Sequence, residues 1–287
     1  MTEIGAVGLV LHPRRDCAQV IGTMVDWARS RDIKLFGVES EVERAQGAVS
    51  SIGAEDLAGR VDLLVSLGGD GTMLRAMRLG IPDRTPVLGV NLGKLGFLAE
   101  IDPPELTDAL CAIDEHRFTT EARSGLRAVT EGKDAIAFND VALVRVPGNG
   151  MTAVRLHVEG HPFVSYSADA VVVATPTGST AYSFSAGGPI ISPRAEGLLI
   201  TPVAPHSTFN RAVFLSSGEK LALEITGSEV GVEADGQLIG YVGAGTVIDI
   251  EVLPAAAEVV RLGRTTFYQR AQRKFGLSGF TSQNEGS

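Results

Sequence analysis

The pattern of apolar and polar positions predicts an α/β arrangement for the first part of the chain. From Ile4 to about Ala112, short apolar runs alternate with segments whose apolar residues recur at helical spacing. Strands that alternate with helices indicate βαβ units and therefore a parallel sheet. The predicted strands are Ala6–Leu11, Ile33–Val38, Asp62–Leu67 and Pro86–Asn91, and the predicted helices are Cys17–Arg29, a segment that begins near Met73, and Pro103–Ile113.

After about Phe118 the pattern changes to strands separated by Gly-rich turns. This pattern predicts a second, β-rich and mostly antiparallel domain. The basic amphipathic segment Thr266–Lys274 predicts a helix that returns to the first domain. We therefore expect an α/β nucleotide-binding domain over residues 1–118, joined by 266–287, and a β-rich domain over 119–265. The predicted strands of the second domain are Glu121–Thr130, Ala135–Val146, Met151–Val158, Pro162–Ser167, Ala170–Ala174, Arg211–Leu215, Lys220–Thr226, Val230–Ala234 and Thr246–Val252.

Composition narrows the class of protein. A chain of 287 residues with 44% hydrophobic residues can bury a sizeable core in one large or two modest domains. The net charge of −9 argues against a nucleic-acid duplex as partner, so any phosphate site must be built locally. Cys17 and Cys111 form no disulfide framework or metal-ligand spacing, which suits a reducing compartment. Without a signal-peptide pattern or an apolar run of about 20 residues, we expect a cytoplasmic protein with no membrane partner.

The most informative motif is Gly68-Gly69-Asp70-Gly71-Thr72, which follows a buried strand and precedes a helix-like pattern. Open α/β sheets bind ligands at this end of their strands. Glycines let a phosphate approach the main-chain N–H groups, and a following helix N-terminus favours the anion. The carboxylate of Asp70 fits such a site if it binds a metal or takes a proton from an attacking hydroxyl. The alternative is a plain strand-turn-helix connection. The candidate phosphate-binding residues are Gly68, Gly69, Gly71 and Thr72.

A second cluster, Thr175–Ser185, follows the predicted strand Ala170–Ala174. Its hydroxyl groups and the ring of Tyr182 are suited to a ribose or a base. The alternative is a Ser/Thr turn that caps the next helix, because such residues readily bond the local backbone. His157 and His161 lack Cys or acidic partners at ligand spacing, so we predict no metal site made of protein ligands.

Together these motifs resemble the ATP-NAD kinase family, from the first strand to about Lys274. The resemblance rests on a set of motifs in a fixed order. The Gly68–Thr72 motif is shared with diacylglycerol kinases and resembles one in phosphofructokinases. The Thr175–Ser185 block is much more specific to the family. The motifs are Gly68–Thr72, Asn91–Leu98, Asn139-Asp140, Thr175–Ser185 and Asp235-Gly236-Gln237.

The resemblance implies an NAD kinase-like fold and transfer of the γ-phosphoryl group of ATP to the 2′-hydroxyl of the adenosine ribose of NAD, giving NADP. It implies Mg²⁺ as the divalent metal that accompanies ATP, and a homodimer or homotetramer. Asp70 would be the catalytic base, and Asp169 would bind the nicotinamide end of NAD, often across a subunit interface in this family. The substrate-binding residues implied by the resemblance are Gly71, Arg75, Asn139, Asp140, Asp169, Thr180, Ala181, Tyr182, Ser183, Ser185 and Gln237.

Two positions depart from the family pattern. The family usually has Glu where this chain has Asp140, whose side chain is one methylene shorter. It usually has Gly where this chain has Ala170, and the added methyl group matters if the backbone needs a positive φ. These departures keep open a dinucleotide-binding regulator without catalytic activity. A kinase of another small hydroxyl substrate that shares the Gly-Gly-Asp-Gly-Thr site is a further alternative.

Overall fold

The computed structural model describes residues 4–43, 49–130 and 132–277. The chain divides into two compact units, one drawn from Met1–Glu121 and Glu258–Ser287 and the other comprising Ala122–Ala257. The part of the predicted returning tail that follows residue 277 lies outside the described residues.

The helices and strands have the following bounds. The helices are α1 (Ala18–Arg29), α2 (Glu39–Val42), α3 (Asp70–Gly80), α4 (Leu106–Asp114), α5 (Tyr182–Ser185) and α6 (Phe267–Phe275). The strands are β1 (Ala6–Leu11), β2 (Lys34–Val38), β3 (Ser50–Ile52), β4 (Leu63–Gly68), β5 (Val87–Asn91), β6 (Thr119–Thr130), β7 (Lys133–Ala137), β8 (Asp140–Arg145), β9 (Thr152–Val158), β10 (His161–Ala168), β11 (Ala170–Ala174), β12 (Gly197–Val203), β13 (Val213–Ser216), β14 (Leu221–Ile225), β15 (Val230–Ala234), β16 (Gln237–Val242) and β17 (Val247–Arg261).

In the first unit, five parallel strands lie in the order β5-β4-β1-β2-β3. Every residue of β4 is buried, as expected for a parallel strand in the middle of a sheet. The chain leaves β1 toward β2 on one side, and β4 and β5 lie on the other side. The carboxyl ends of β1 and β4 therefore mark the switch point of the sheet, where α/β proteins bind ligands. The predicted parallel sheet is confirmed.

The second unit is built from antiparallel strands. One sheet has the order β13-β12-β11-β8-β15-β16, and a second run of paired strands is β10-β9-β14-β17. One apolar core joins residues from both, with Val171 and Leu143 from the first and Leu156 and Leu223 from the second. The predicted antiparallel, β-rich second part is confirmed.

Several predicted elements differ from the structure. The single strand predicted over Ala135–Val146 is wrong, because β7 and β8 are separate strands interrupted at Phe138 and Asn139. The main-chain N–H groups of these two residues bond the carboxylate of Asp235 instead of a neighbouring strand. The prediction also ended β17 at Val252, and it missed α2, β3, β12 and β16. The edge strand β16 has no buried residue and lacks an alternating apolar pattern.

Candidate active site

Asp70 is the first residue of α3 and directly follows β4 and Gly69. Its carboxylate accepts hydrogen bonds from the main-chain N–H groups of Phe97 at 3.0 Å and Leu98 at 3.1 Å. A carboxylate at a helix N-terminus also interacts favourably with the helix dipole. About 29% of the side chain is exposed. The structure thus holds this acid in a defined orientation while leaving part of it accessible.

The glycines around Asp70 differ in their surroundings. A Cβ at Gly96 would collide with the carboxylate of Asp70, and one at Gly68 would collide with the side chain of Thr72. A Cβ at Gly69 or Gly71 would meet no atom within 4 Å. The first two glycines are therefore needed for close packing, whereas the backbone at the other two faces open space. Thr72 is buried, and its N–H bonds the carbonyl of Gly69 at 3.0 Å.

Arg75 lies one helical turn after Asp70. Its guanidinium forms an ion pair with the buried side chain of Glu41 and donates to the carbonyl of Leu11 at 2.9 Å. Glu41 in turn accepts from the N–H of Leu11 at 2.7 Å. Among the described residues, the buried Nε of Arg75 has no hydrogen-bond partner. Arg75 therefore links α3 to α2 and to the carboxyl end of β1.

In the second unit, Asn139 and Asp140 lie where β8 begins, and Asp235 holds their backbone. The carboxylate of Asp235 accepts from the N–H groups of Phe138 at 3.1 Å, Asn139 at 2.7 Å and Asp140 at 3.3 Å. Asp235 and Gly236 have φ values of 48° and 74° and form the hairpin turn between β15 and β16. Asp-Gly is a strong sequence signal for such a turn. The signal predicts the turn but not the contact with residues 138–140, and sequence reasoning did not identify Asp235 as a positioning residue.

Asp140 is 5% exposed. Burial, as the main cause, together with the negative charges of Asp235 and Glu233, raises the pKa of its carboxyl group to about 7. Near neutral pH this group therefore exists in both its protonated and its ionised form. The protonated form can donate one hydrogen bond as well as accept others.

Residues 175–185 form a hydroxyl-rich loop after β11, and hydroxyl groups in its first half are bonded within the protein. The hydroxyl of Thr175 donates to the carbonyl of Phe138 at 2.6 Å and accepts from the N–H of Gly178 at 2.9 Å. A Cβ at Gly178 would collide with the main chain of Asn139. This half of the loop is therefore packed directly against the backbone that carries Asn139. The hydroxyl of Ser179 donates to the carbonyl of Pro176 at 2.7 Å and accepts from the N–H of Ile191 at 2.9 Å.

The second half of the loop, residues 180–185, is more accessible. Thr180 and Ala181 are partly exposed, and Tyr182 and Ser185 are exposed. Ser183 differs, because its side chain is fully buried and its hydroxyl bonds that of Thr201 at 2.8 Å. The hydroxyl of Ser183 is therefore used inside the protein.

Three carboxylates influence Tyr182 within this unit. Burial is the main cause that raises the pKa of its phenol, and the charges of Glu233, Asp140 and Asp169 raise it further. The exposed ring of Tyr182 therefore lies in a negatively charged environment.

The remaining predicted site residues lie on or beside the same six-stranded sheet. Asp169 lies between β10 and β11 and pairs with Arg145 at 3.0 Å, both side chains being about half exposed. Ala170 is buried in β11 and is not among the residues with a positive φ, so the family's usual Gly is not needed there for backbone conformation. Gln237 is exposed at the beginning of β16.

Neither a metal cage nor a membrane span is found in the described part of the chain. No group of three or more His, Cys, Asp or Glu residues there is arranged to hold a metal ion. Each helix described is too short or too polar to cross a bilayer.

A parallel sheet that delivers Gly-Gly-Asp-Gly at its switch point, with an antiparallel unit that bears a hydroxyl-rich loop, defines a nucleotide-dependent phosphotransferase. Models of two domains match the chain: the ATP-NAD kinase N-terminal domain over residues 9–118 and the ATP-NAD kinase C-terminal domain over residues 138–262. The chain belongs to the ATP-NAD kinase family. Its activity is the ATP-dependent phosphorylation of NAD to NADP.

Individual relatives agree with this assignment. NAD kinase 1 of Streptomyces avermitilis is 36% identical, over 95% of this chain and 87% of the relative. The NAD kinase of Desulforamulus reducens is 35% identical, over 94% and 97%. Among solved structures, yeast NADH kinase complexed with NADH has a TM-score of 0.87 at 25% identity, covering 99% of this chain and 91% of that one. The NAD kinase from Archaeoglobus fulgidus in complex with ATP has a TM-score of 0.72 at 25% identity, with 94% and 97% covered.

Proposed function

We propose that Asp70 is the general base of the NAD kinase reaction. The 2′-oxygen of the adenosine ribose forms a bond to the γ-phosphorus of ATP, while the bond from that phosphorus to the β–γ bridging oxygen breaks. ADP leaves with the electron pair of that bond, and the hydroxyl proton passes to the carboxylate of Asp70. The observation that carries this proposal is the carboxylate itself, held by two main-chain N–H groups and still partly exposed.

The same site offers groups for the phosphates of ATP. The open backbone at Gly69 and Gly71, together with the N-terminus of α3, suits an anion. We propose Gly68–Thr72 as the phosphate-binding segment, with Arg75 close to a phosphate once substrates are bound. We also propose Mg²⁺ as the divalent ion, bound to the ATP phosphates as part of the substrate, because the described residues offer no cage of their own. Bound there, it would offset negative charge on the phosphates.

We propose that the second unit provides the dinucleotide contacts. The buried carboxyl group of Asp140 and its neighbour Asn139 suit the adenosine part, and Asp169 suits the nicotinamide end. The accessible part of the loop, with the ring of Tyr182, suits the adenine and ribose. The proposed contacts of this unit are Asn139, Asp140, Asp169, Thr180, Ala181, Tyr182, Ser183, Ser185 and Gln237. A homodimer or homotetramer in the cytoplasm also stays a proposal, supported by the family's use of Asp169 at subunit interfaces.

Turnover by Asp70→Asn tests the proposed base. Purified protein is incubated with Mg-ATP and NAD, and NADP is measured with an NADP-specific dehydrogenase; NADH and polyphosphate are run in parallel. We expect a loss of about 10²- to 10⁴-fold in turnover, the usual contribution of a general base. Dinucleotide binding, measured by calorimetry, should be largely retained.

The matched control is Asp83→Asn, which alters an exposed aspartate just beyond the other end of α3. This variant should keep the parent activity. If Asp70→Asn retained most of the turnover, Asp70 would not be the base.

A further inference from the structure

Helix α6 packs against the loop after β5, in which Phe97 and Leu98 bond the carboxylate of Asp70. The helix begins with a capping box at Thr266 and ends at Gly276, which has φ of 64°. The ring of Phe97 lies 5.8 Å from that of Phe267 and 5.5 Å from that of Phe275, between centroids. Phe97 is itself one of the two residues whose N–H groups bond the carboxylate of Asp70. The helix is therefore part of the wall of the site.

A buried ionic network fixes this arrangement. Glu100, whose side chain is 1% exposed, pairs with Arg270 of α6 at 2.7 Å and with Arg261 of β17 at 3.0 Å. Its other oxygen accepts from the N–H of Leu262 at 2.9 Å, and Arg270 also contacts the carbonyl of Ala99. Because buried charges are costly to separate, α6 and the loop should move as one body.

Lys274, in the last turn of α6, directs its ammonium group to Asp70. The Nζ atom lies 3.8 Å from Oδ2 of Asp70 and 4.6 Å from the ring centroid of Phe97. The separation from the carboxylate exceeds a hydrogen bond, so the three N–H donors of the ammonium are not committed to Asp70. The contact with Phe97 orients the side chain by a cation–π interaction. The result is a positioned cation that is 36% exposed, next to the proposed base.

We propose that Lys274 is a catalytic residue that binds the γ-phosphoryl group of ATP during transfer. This inference rests on the proposed role of Asp70. A hydroxyl that gives its proton to Asp70 must lie within about 3 Å of the carboxylate, and the phosphorus it attacks lies on the far side of that oxygen. An ammonium 3.8 Å from the same carboxylate is close enough to reach an oxygen of the phosphoryl group.

The ammonium group of Lys274 would stabilise the negative charge of the transition state. In phosphoryl transfer, negative charge is spread over the three equatorial oxygens, and fixed positive groups stabilise it. Asp70 adds a further negative charge to the same place. Lys274 offsets that charge from outside the glycine-rich segment, on a helix that the Glu100 network holds in position.

The test removes the charge and keeps the apolar stem that lies over Phe97. In Lys274→Met we expect kcat to fall about 10²- to 10³-fold, as for the loss of one preorganised donor. The KM for NAD should stay within about threefold of the parent, because the contact forms mainly in the transition state. Lys274→Arg should recover at least about a tenth of the parent kcat because it keeps the charge. The control Arg273→Met alters the exposed neighbour on the same turn and should be normal.

The charge-conserving variant separates the role of the charge from packing on Phe97. A kcat of Lys274→Arg no higher than that of Lys274→Met, or a kcat of Lys274→Met within about threefold of the parent, would overturn the proposal. Lys274→Gln is a second neutral variant that should behave like Lys274→Met. An active Asp70→Asn would refute the proposed base instead, so the two failures are distinguishable.

Discussion

The buried carboxyl group of Asp140 should make the unfolding free energy of the chain depend on pH. Asp140→Asn replaces it by a neutral amide of nearly the same shape, which cannot ionise. Asp140 lies next to Asp235 and Glu233, whose charges raise its pKa beyond the main effect of burial. We therefore expect the variant without substrate to be more stable than the parent at pH 8.

The pKa shift sets the size of the effect. The pKa is about 7 in the folded chain against an ordinary value of 3.8, a difference of about 3 units or an upper bound of about 4 kcal/mol. An acid whose pKa is raised on folding binds more protons in the folded state, so stability falls as pH rises between these two values. Ionisation of Asp140 therefore lowers the unfolding free energy of the parent by about 1.5 kcal/mol at pH 5 and about 4 kcal/mol at pH 8. The gap in unfolding free energy between variant and parent should therefore grow by about 2–3 kcal/mol across this range.

Urea unfolding of both proteins at pH 5, 6, 7 and 8 measures this gap. Effects of titrating groups that do not interact with Asp140 are common to both proteins and cancel. The control is Asp134→Asn, because Arg127 lowers the pKa of this exposed carboxyl group and keeps it ionised throughout the range. Its gap to the parent should not change between pH 5 and pH 8. A gap for Asp140→Asn that was equally flat would refute the reasoning that Asp140 is desolvated and protonated on folding.

Two further predictions concern packing near the candidate site. Gly178→Ala would force a Cβ against the main chain of Asn139. We therefore expect the unfolding free energy to fall by about 1–3 kcal/mol and the KM for NAD to rise. The control Gly218→Ala places its Cβ in open space and should change the unfolding free energy by less than about 0.5 kcal/mol. Glu100→Gln removes the charge between two arginines in a buried network, and we expect it to lower the unfolding free energy by about 3–5 kcal/mol. The control Glu115→Gln alters an exposed ion pair and should lower the unfolding free energy by less than about 1 kcal/mol. Chemical denaturation checks each pair, and equal effects of variant and control would contradict the packing argument.

The sequence alone predicted the fold class because its evidence is local. The apolar run that became β4 and the glycines that follow it indicate a buried strand, a turn and a helix without reference to the rest of the chain. The predicted bounds of β1 match the structure, and α1 differs by one residue. The same locality explains the errors: nothing near Phe138 and Asn139 in the sequence shows that their N–H groups leave the ladder for Asp235.

The sequence also indicated which residues to consider as a site, and its family resemblance supplied their roles as predictions. Asp70 was singled out because an acid among glycines at a strand end is chemically unusual. Its partners were decided only by the tertiary structure, because Phe97, Leu98 and Lys274 reach it from the loop after β5 and from α6. Likewise, only packing against Thr201 shows that the hydroxyl of Ser183 is used internally. Local pattern determines which elements form, whereas side-chain environments depend on residues distant in the chain, and hydrophobic periodicity carries no record of those contacts.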